Sequence, residues 1–282
     1  MKLRIGILLT LTSLLSAAQA QQYEFALSGG TTGYMGDLNT YHPFYFKKAG
    51  GGLSAKYNLN STLGFELGYN YLSIAAADRD FDRPVQQRRD LSFRNNISEL
   101  SLTGVFNFYR FIPGKQLNIY TPYITAGVAG ILHDPYVMHQ NHKIHLRKLF
   151  LELDEEGKSY TYNRFAIAIP VGVGVKYNIK GPWTIAADVS YRTVLSDNID
   201  NVSQYYNSPT PIDQFLPNFD LVENGEKRPF TQADWNQLAD PSGKLAENAG
   251  TSRGDGHKFD GYMTAGFKLT YTIISKKCYW WQ

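Results

Sequence analysis

Residues 164–180, RFAIAIPVGVGVKYNIK, alternate without a break between two kinds of side chain. Phe165, Ile167, Ile169, Val171, Val173, Val175, Tyr177 and Ile179 are apolar, whereas Arg164, Ala166, Ala168, Pro170, Gly172, Gly174, Lys176 and Asn178 are small or polar. A period of two over this length excludes a helix, which would spread the apolar set around its circumference. The implied strand is far longer than the roughly five or six residues usual in soluble sheets. One face is wholly hydrophobic, and the other is too sparse and polar for a sandwich core. Lipid outside and a crowded polar lumen inside account for both.

The rest of the chain repeats the pattern. Residues 23–35 place Tyr23, Phe25 and Leu27 on one face and end in the turn signal GDLN at 36–39. Residues 50–59 direct Leu53, Ala55 and Tyr57 outward against Ser54, Lys56 and Asn58, and residues 62–73 direct Phe65, Leu67, Tyr69 and Tyr71 outward against Gly64, Glu66 and Asn70. Leu100, Leu102, Phe106 and Phe108 oppose Glu99, Ser101, Thr103 and Asn107 in residues 95–111. A fifth strand covers 118–132, and the opening stretch is the sixth. Residues 183–193 carry Asp188 and Arg192 inward, and residues 259–274 carry Lys268 inward opposite Met263, Phe267, Leu269 and Tyr271.

Eight strands result. Their connections are tight after the second, fourth and sixth, and longer after the first, third, fifth and seventh. This rhythm predicts an all-β fold, an eight-stranded antiparallel transmembrane up-and-down β-barrel of the outer membrane with short periplasmic turns and long extracellular loops. Both termini fall on the periplasmic side. The outer loops include a charged one at about 76–93, one of about thirty residues at 133–163 and one of about sixty at 195–258. Within the last, Thr231 and Asp234 read as a capping box opening a short helix ahead of Trp235 and Leu238.

Composition sharpens this picture. Lys2 and Arg4, the apolar run 5–15 and the Ala18-Gln19-Ala20 site read as a signal peptide over 1–20, leaving 21–282 as a single barrel domain. Mean hydropathy is −0.33, as expected where only alternate strand residues meet lipid. Twenty tyrosines and 14% aromatics suit interfacial girdles. A net charge of +3 is too small to argue for nucleic acid, and the single cysteine, Cys278, forbids an internal disulfide. No G-x-S-x-G, H-E-x-x-H, P-loop or G-x-G-x-x-G motif occurs, so neither an enzyme nor a cofactor is expected.

Candidate chemistry is confined to three places. The inward charges Lys56, Glu66, Glu99, Lys176, Asp188, Arg192 and Lys268 read as a plug of neutralising ion pairs, in preference to a polar pore. His133, His139, His142 and His145 read as exposed polar loop residues, in preference to a metal site, and Asp197, Asn198, Asp200 and Asn201 as turn formers, in preference to calcium ligands. The tail at 275–282, with Lys276, Lys277, Tyr279, Trp280 and Trp281, divides evenly between a membrane-boundary cluster and a periplasmic docking peptide.

The segments YMGDLN at 34–39, YTPYITAGV at 120–128, RFAIAIPVGVGVKYNI at 164–179, YRTVLSDNIDNVSQYY at 191–206 and DGYMTAGFKLTYTI at 260–273 resemble the small outer-membrane barrel family of Bacteroidota that includes PorG of the type IX secretion system. The resemblance implies a non-enzymatic barrel seated among outer-membrane lipids. It further implies an anchoring or assembly role, with a periplasmic ring lipoprotein and its companion protein as partners. A surface ligand-binding protein or passive small pore is the alternative.

Overall fold

A computed structural model describes residues 23–114, 118–208, 220–223, 226–254 and 256–273. The expected signal peptide at 1–20 and the tail carrying Lys276, Lys277, Tyr279, Trp280 and Trp281 lie outside the described residues. The strands are β1 (Tyr23–Met35), β2 (Phe46–Asn58), β3 (Leu63–Ala77), β4 (Ser92–Asn107), β5 (Tyr120–Leu132), β6 (Tyr136–His139), β7 (His142–His145), β8 (Glu152–Leu153), β9 (Phe165–Lys180), β10 (Trp183–Val194), β11 (Tyr205–Tyr206), β12 (Asp220–Glu223), β13 (Glu226–Pro229) and β14 (Gly261–Ile273). Among the described residues three α-helices, α1 (Pro84–Arg89), α2 (Gln232–Ala239) and α3 (Leu245–Asn248), sit in the connections.

Eight of the strands close a ring in the order β3-β2-β1-β14-β10-β9-β5-β4 and back to β3. First and last strands pair from Tyr23↔Ile273 to Met35↔Gly261, so no barrel edge is left open. The expected eight-stranded antiparallel up-and-down barrel is the observed fold. Its outer surface is apolar: Ile167, Val171 and Val173 are exposed on β9, Val173 to 58%, while Lys176 on the same strand is only 7% exposed. This inside-out arrangement is that of a protein crossing the outer membrane with its strands. Among the described residues no helix is long and apolar enough to cross a membrane.

Where Gly30 faces Gly266, the two strands leave no room for a side chain. A Cβ on Gly30 would stand 2.3 Å from the Ala265 carbonyl oxygen, so no larger residue fits that approach.

Sequence boundaries shift at the long-loop end. β2 begins at Phe46, ahead of the expected Gly50, and pairs with β1 across a bulge between Thr32 and Gly33. β3 runs past Ser73 to Ala77, opposite Ser92 of β4. Ala75, Ala76 and Ala77 are all buried, so the alternation that marks a strand is lost there although the pairing continues. The connection expected as a plain loop at 133–163 is instead partly ordered into strands. It holds the hairpin β6–β7, joined to β4 at Arg94↔Tyr136, and Gln140 and Asn141 turn it with φ of 47° and 66°. Two consecutive positive φ values make the primed turn that suits hairpin twist.

β9 has 16 residues, which at ~3.3 Å each and ~40° tilt is about 38 Å of height, more than the roughly 25 Å apolar band of such barrels. At the long-loop end the inward side of the strand tips changes character. Leu72, Ile74, Ile97, Ile131, Ala168 and Val194 of the strands form one buried core with loop residues such as Leu38, Leu149, Ile199 and Trp235. The polar lumen expected throughout is therefore capped by a hydrophobic core of soluble type.

Candidate functional site

The lower lumen is built from inward positions near the tight turns. Glu24 of β1 and Lys56 of β2 pair at 2.6 Å, and Asn58 Nδ2 donates to Glu24 at 2.8 Å. Lys176 Nζ donates to Asn107 Oδ1 at 3.0 Å and lies 4.4 Å over the Tyr123 ring. Two ion pairs then cross the barrel between strands that are not neighbours. Lys268 of β14 meets Glu66 of β3 at 2.6 Å, and Arg192 Nε of β10 meets Glu99 of β4 at 3.0 Å. Glu99 also accepts from Tyr262 Oη at 2.6 Å and from Asn70 Nδ2 at 2.7 Å, while Asp188 accepts from Tyr123 Oη at 2.9 Å.

All seven charges singled out in the sequence thus face the lumen. They are four cations and three carboxylates. Glu24, which the sequence reading passed over, makes the count even: Lys56, Lys176, Arg192 and Lys268 against Glu24, Glu66, Glu99 and Asp188. Its signal was available, since Tyr23 and Phe25 outward force Glu24 inward. A neutral, hydrogen-bonded set is the form in which charges persist away from water. The cavity between these groups measures about 100 Å³.

Above the lumen, the described residues of loop 4 (195–260) fold back over the strand tips. α2 starts with the expected capping box: Asp234 N donates to Thr231 Oγ1 at 3.3 Å and Thr231 N to Asp234 Oδ2 at 2.9 Å. The helix buries Trp235 completely, and its indole N–H donates to the Leu149 carbonyl at 2.7 Å. Buried Arg253 ties Glu152, at 3.1 Å, to the Asn201 carbonyl, at 2.6 Å.

Two of the four loop histidines, His133 and His139, are buried and not exposed as expected, while His142 and His145 are half-exposed. His133 is 1% exposed, stacks on Tyr162 with 5.9 Å between ring centres, and has no hydrogen bond at either nitrogen. Burial, helped by the nearby Arg147 and Arg164 cations, pushes its pKa down to about 4. His139, also buried, meets Asp234 Oδ1 through Nε2 at 2.9 Å, and His145 Nδ1 meets Asp134 at 3.1 Å. The hairpin and loop 4 bury two of them. His139 and His145 turn to different carboxylates and do not converge.

A joint between barrel and cap collects three of the resemblance segments. Asp37 from YMGDLN, Asp200 from the segment at 191–206 and Asp260 before β14 bring carboxylate oxygens within 4.8 Å of one another, all buried. Tyr34 Oη lies 2.5 Å from Asp200 Oδ2 and 3.0 Å from Asp260 Oδ1. Val202 N donates to Asp200 at 2.8 Å, as in an Asx turn, and Ile199 N donates to Asp260 at 3.1 Å. Burial raises Asp200 and Asp260 well above the ordinary carboxylate range, and the neighbouring carboxylates add to it. A Cβ on Gly36 would stand 2.0 Å from Asp260 Oδ1, so any larger residue there displaces this carboxylate. The donor set is oxygen only, the type preferred by hard cations. Of the residues weighed as calcium ligands, Asp200 alone takes part; Asn198 bonds Tyr160 and Ser203, and Asn201 accepts from Tyr162. Tyr34 and Asp37 lie far in sequence from Asp200 and Asp260, and only barrel closure brings the four together.

Comparison with curated proteins finds no match. Among solved structures the chain is similar to Neisserial surface protein A, at 11% identity and a TM-score of 0.41, covering 89% of this chain and 96% of that one. It is also similar to the outer-membrane protein OprG of Pseudomonas aeruginosa, at 11% identity and 0.38, covering 90% and 98%. The N-terminal β-barrel domain of Pseudomonas aeruginosa OprF gives 12% identity and 0.37, with 90% and 98% covered. The family model described as a domain of unknown function, DUF6089, matches residues 2–212, and the chain belongs to that family.

Proposed function

We propose that this chain is a non-enzymatic, sealed outer-membrane barrel that anchors or helps assemble the type IX protein secretion system. The tight turns and both termini face the periplasm, and the ring formed by a lipoprotein and its companion protein is the partner. One observation carries the reading: the cylinder is closed twice, by a neutral ionic network in the lumen and by a hydrophobic cap over it. Such a barrel suits a membrane fixture better than a conduit. The resemblance to the family that includes PorG supplies the secretion system, and segments carrying that resemblance build the barrel–cap joint.

Crosslinked pull-down from intact outer membranes tests the role. Recovery of the ring lipoprotein is expected, and its absence from the crosslinked set overturns the secretion reading. Deleting residues 276–282 is expected to leave a heat-modifiable barrel but to weaken that recovery; unchanged recovery removes the tail from the interface. In planar bilayers the expected conductance is that of an empty detergent control, and steady current above it favours a passive pore instead.

A further inference from the structure

The groove between loop 1 (36–45) and loop 2 (78–91) belongs neither to the lipid-facing belt nor to the cap. It encloses about 680 Å³, within the roughly 300–1,000 Å³ typical of small-ligand sites. Aromatic rings dominate it. Phe81 forms a buried floor on which His42 stacks at 5.4 Å and Tyr45 leans at 5.1 Å, while Tyr41 and Phe44 stand 60% and 73% exposed above. The walls are fixed from behind. Asn39 Nδ2 donates to the carbonyls of Tyr34 and His42, Gln86 donates to the Leu38 carbonyl at 3.2 Å, and Arg89 donates to the Asp37 carbonyl at 3.0 Å. A site held this way loses little freedom on binding.

Charge identifies what it takes. The Arg83 guanidinium lies 3.6 Å over the Tyr41 ring and makes no hydrogen bond or ion pair with the described residues; nor do the guanidinium groups of Arg79, Arg88 and Arg94 on loop 2 and β4. Setting aside buried Asp37 and the Asp78–Arg89 pair, the two loops and adjoining strand tips hold Lys47, Lys48, Arg79, Arg83, Arg88 and Arg94 against Asp80, Asp82 and Asp90. Asp80 is already paired with Lys47. Unused guanidinium forks beside exposed aromatic faces match a phosphorylated sugar, whose phosphate takes a bidentate fork while its apolar ring face stacks.

Height selects the source of that sugar. Arg94 pairs with Ala75, four residues beyond the lipid-facing Tyr71, which is roughly 10 Å above that aromatic girdle and hence at headgroup level. Phe44 and Phe46, 6.4 Å apart, continue the apolar surface down from the groove toward the belt. We propose that the loop 1–loop 2 groove binds the phosphorylated saccharide headgroup of an outer-leaflet glycolipid, with Arg83 on the phosphate and Tyr41 against the sugar ring. The proposal rests on the outward placement of the long loops, not on any secretion partner.

Native mass spectrometry of the full barrel in detergent, titrated with bisphosphorylated lipid A, tests it. Both ends are open to ligand there, so the result does not depend on orientation, which protease added to intact cells reads separately. Arg83→Gln and Tyr41→Ala are each expected to weaken binding about fivefold or more, and dephosphorylated lipid A to bind about tenfold more weakly. Lys244→Gln, far along loop 4, is expected to change nothing, and heat-modifiable migration shows that each variant is folded. Equal binding by both groove variants and the unsubstituted chain overturns the proposal, as does equal binding of the dephosphorylated lipid. Full displacement by inorganic phosphate alone makes it a free-anion site instead, and loss of a dimer in the groove variants makes it a self-association surface; either overturns it too.

Discussion

Glu24 and Lys56 show what a single lumen carboxylate does. The pair is shut off from solvent, Lys56 being 4% exposed, so removing one partner leaves an uncompensated charge. Glu24→Ala is expected to cost about 3–5 kcal/mol in urea unfolding, whereas Glu24→Met with Lys56→Met restores most of it. His133 gives the pH dependence. Its folded pKa is depressed from 6.5 to about 4, so its contribution is complete above pH 6.5 and is lost as the pH falls toward 4. The loss amounts to about 3 kcal/mol and levels off below that. Hydrogen exchange of the cap at pH 7 and pH 5 reads it. His133→Phe keeps the stack on Tyr162, removes two unsatisfied nitrogens and is expected to flatten this component. Neither environment is written locally, since Tyr162 and Lys56 reach these residues only through the fold.

At the scale of an element, β9 was readable from its alternation alone, because lipid on one side and a narrow lumen on the other impose the same choice at every second residue. Val173 sits midway along its outward row. Val173→Arg is expected to cost about 2–4 kcal/mol in refolding into lipid vesicles, and an unchanged midpoint would contradict the membrane face. The elements that escaped the sequence were those outside the bilayer. β3 beyond Ser73 is buried on both faces, so its period vanishes, and β6–β7 has a Gln-Asn turn in place of the common Asn-Gly. The capping box at Thr231 was legible because it is a contact between residues three apart.

As a whole molecule the protein consists of two structures sharing eight strands: a lipid-embedded cylinder with ionic struts, and a cap with an apolar interior. They are expected to fail separately. Trp235→Ala removes the largest fully buried side chain among the described residues and its bond to Leu149, costing the cap about 3–5 kcal/mol. Limited proteolysis should then cut loop 4 at denaturant concentrations where the barrel still migrates as a folded, heat-modifiable species. Simultaneous loss of both would show that cap and cylinder are one cooperative unit.

Sequence by itself determined the barrel, its strand number, the face each strand turns to lipid and the seven lumen charges first recognised. All of these follow from a period of two that one solvent boundary enforces along each strand. Tertiary structure alone decided the partners across the lumen, the burial of His133 and His139, the meeting of Asp37, Asp200 and Asp260, and the groove over Phe81. Those contacts join residues from different loops and from strands apart in the ring, and closure of the cylinder, which no local pattern encodes, is what sets their distances.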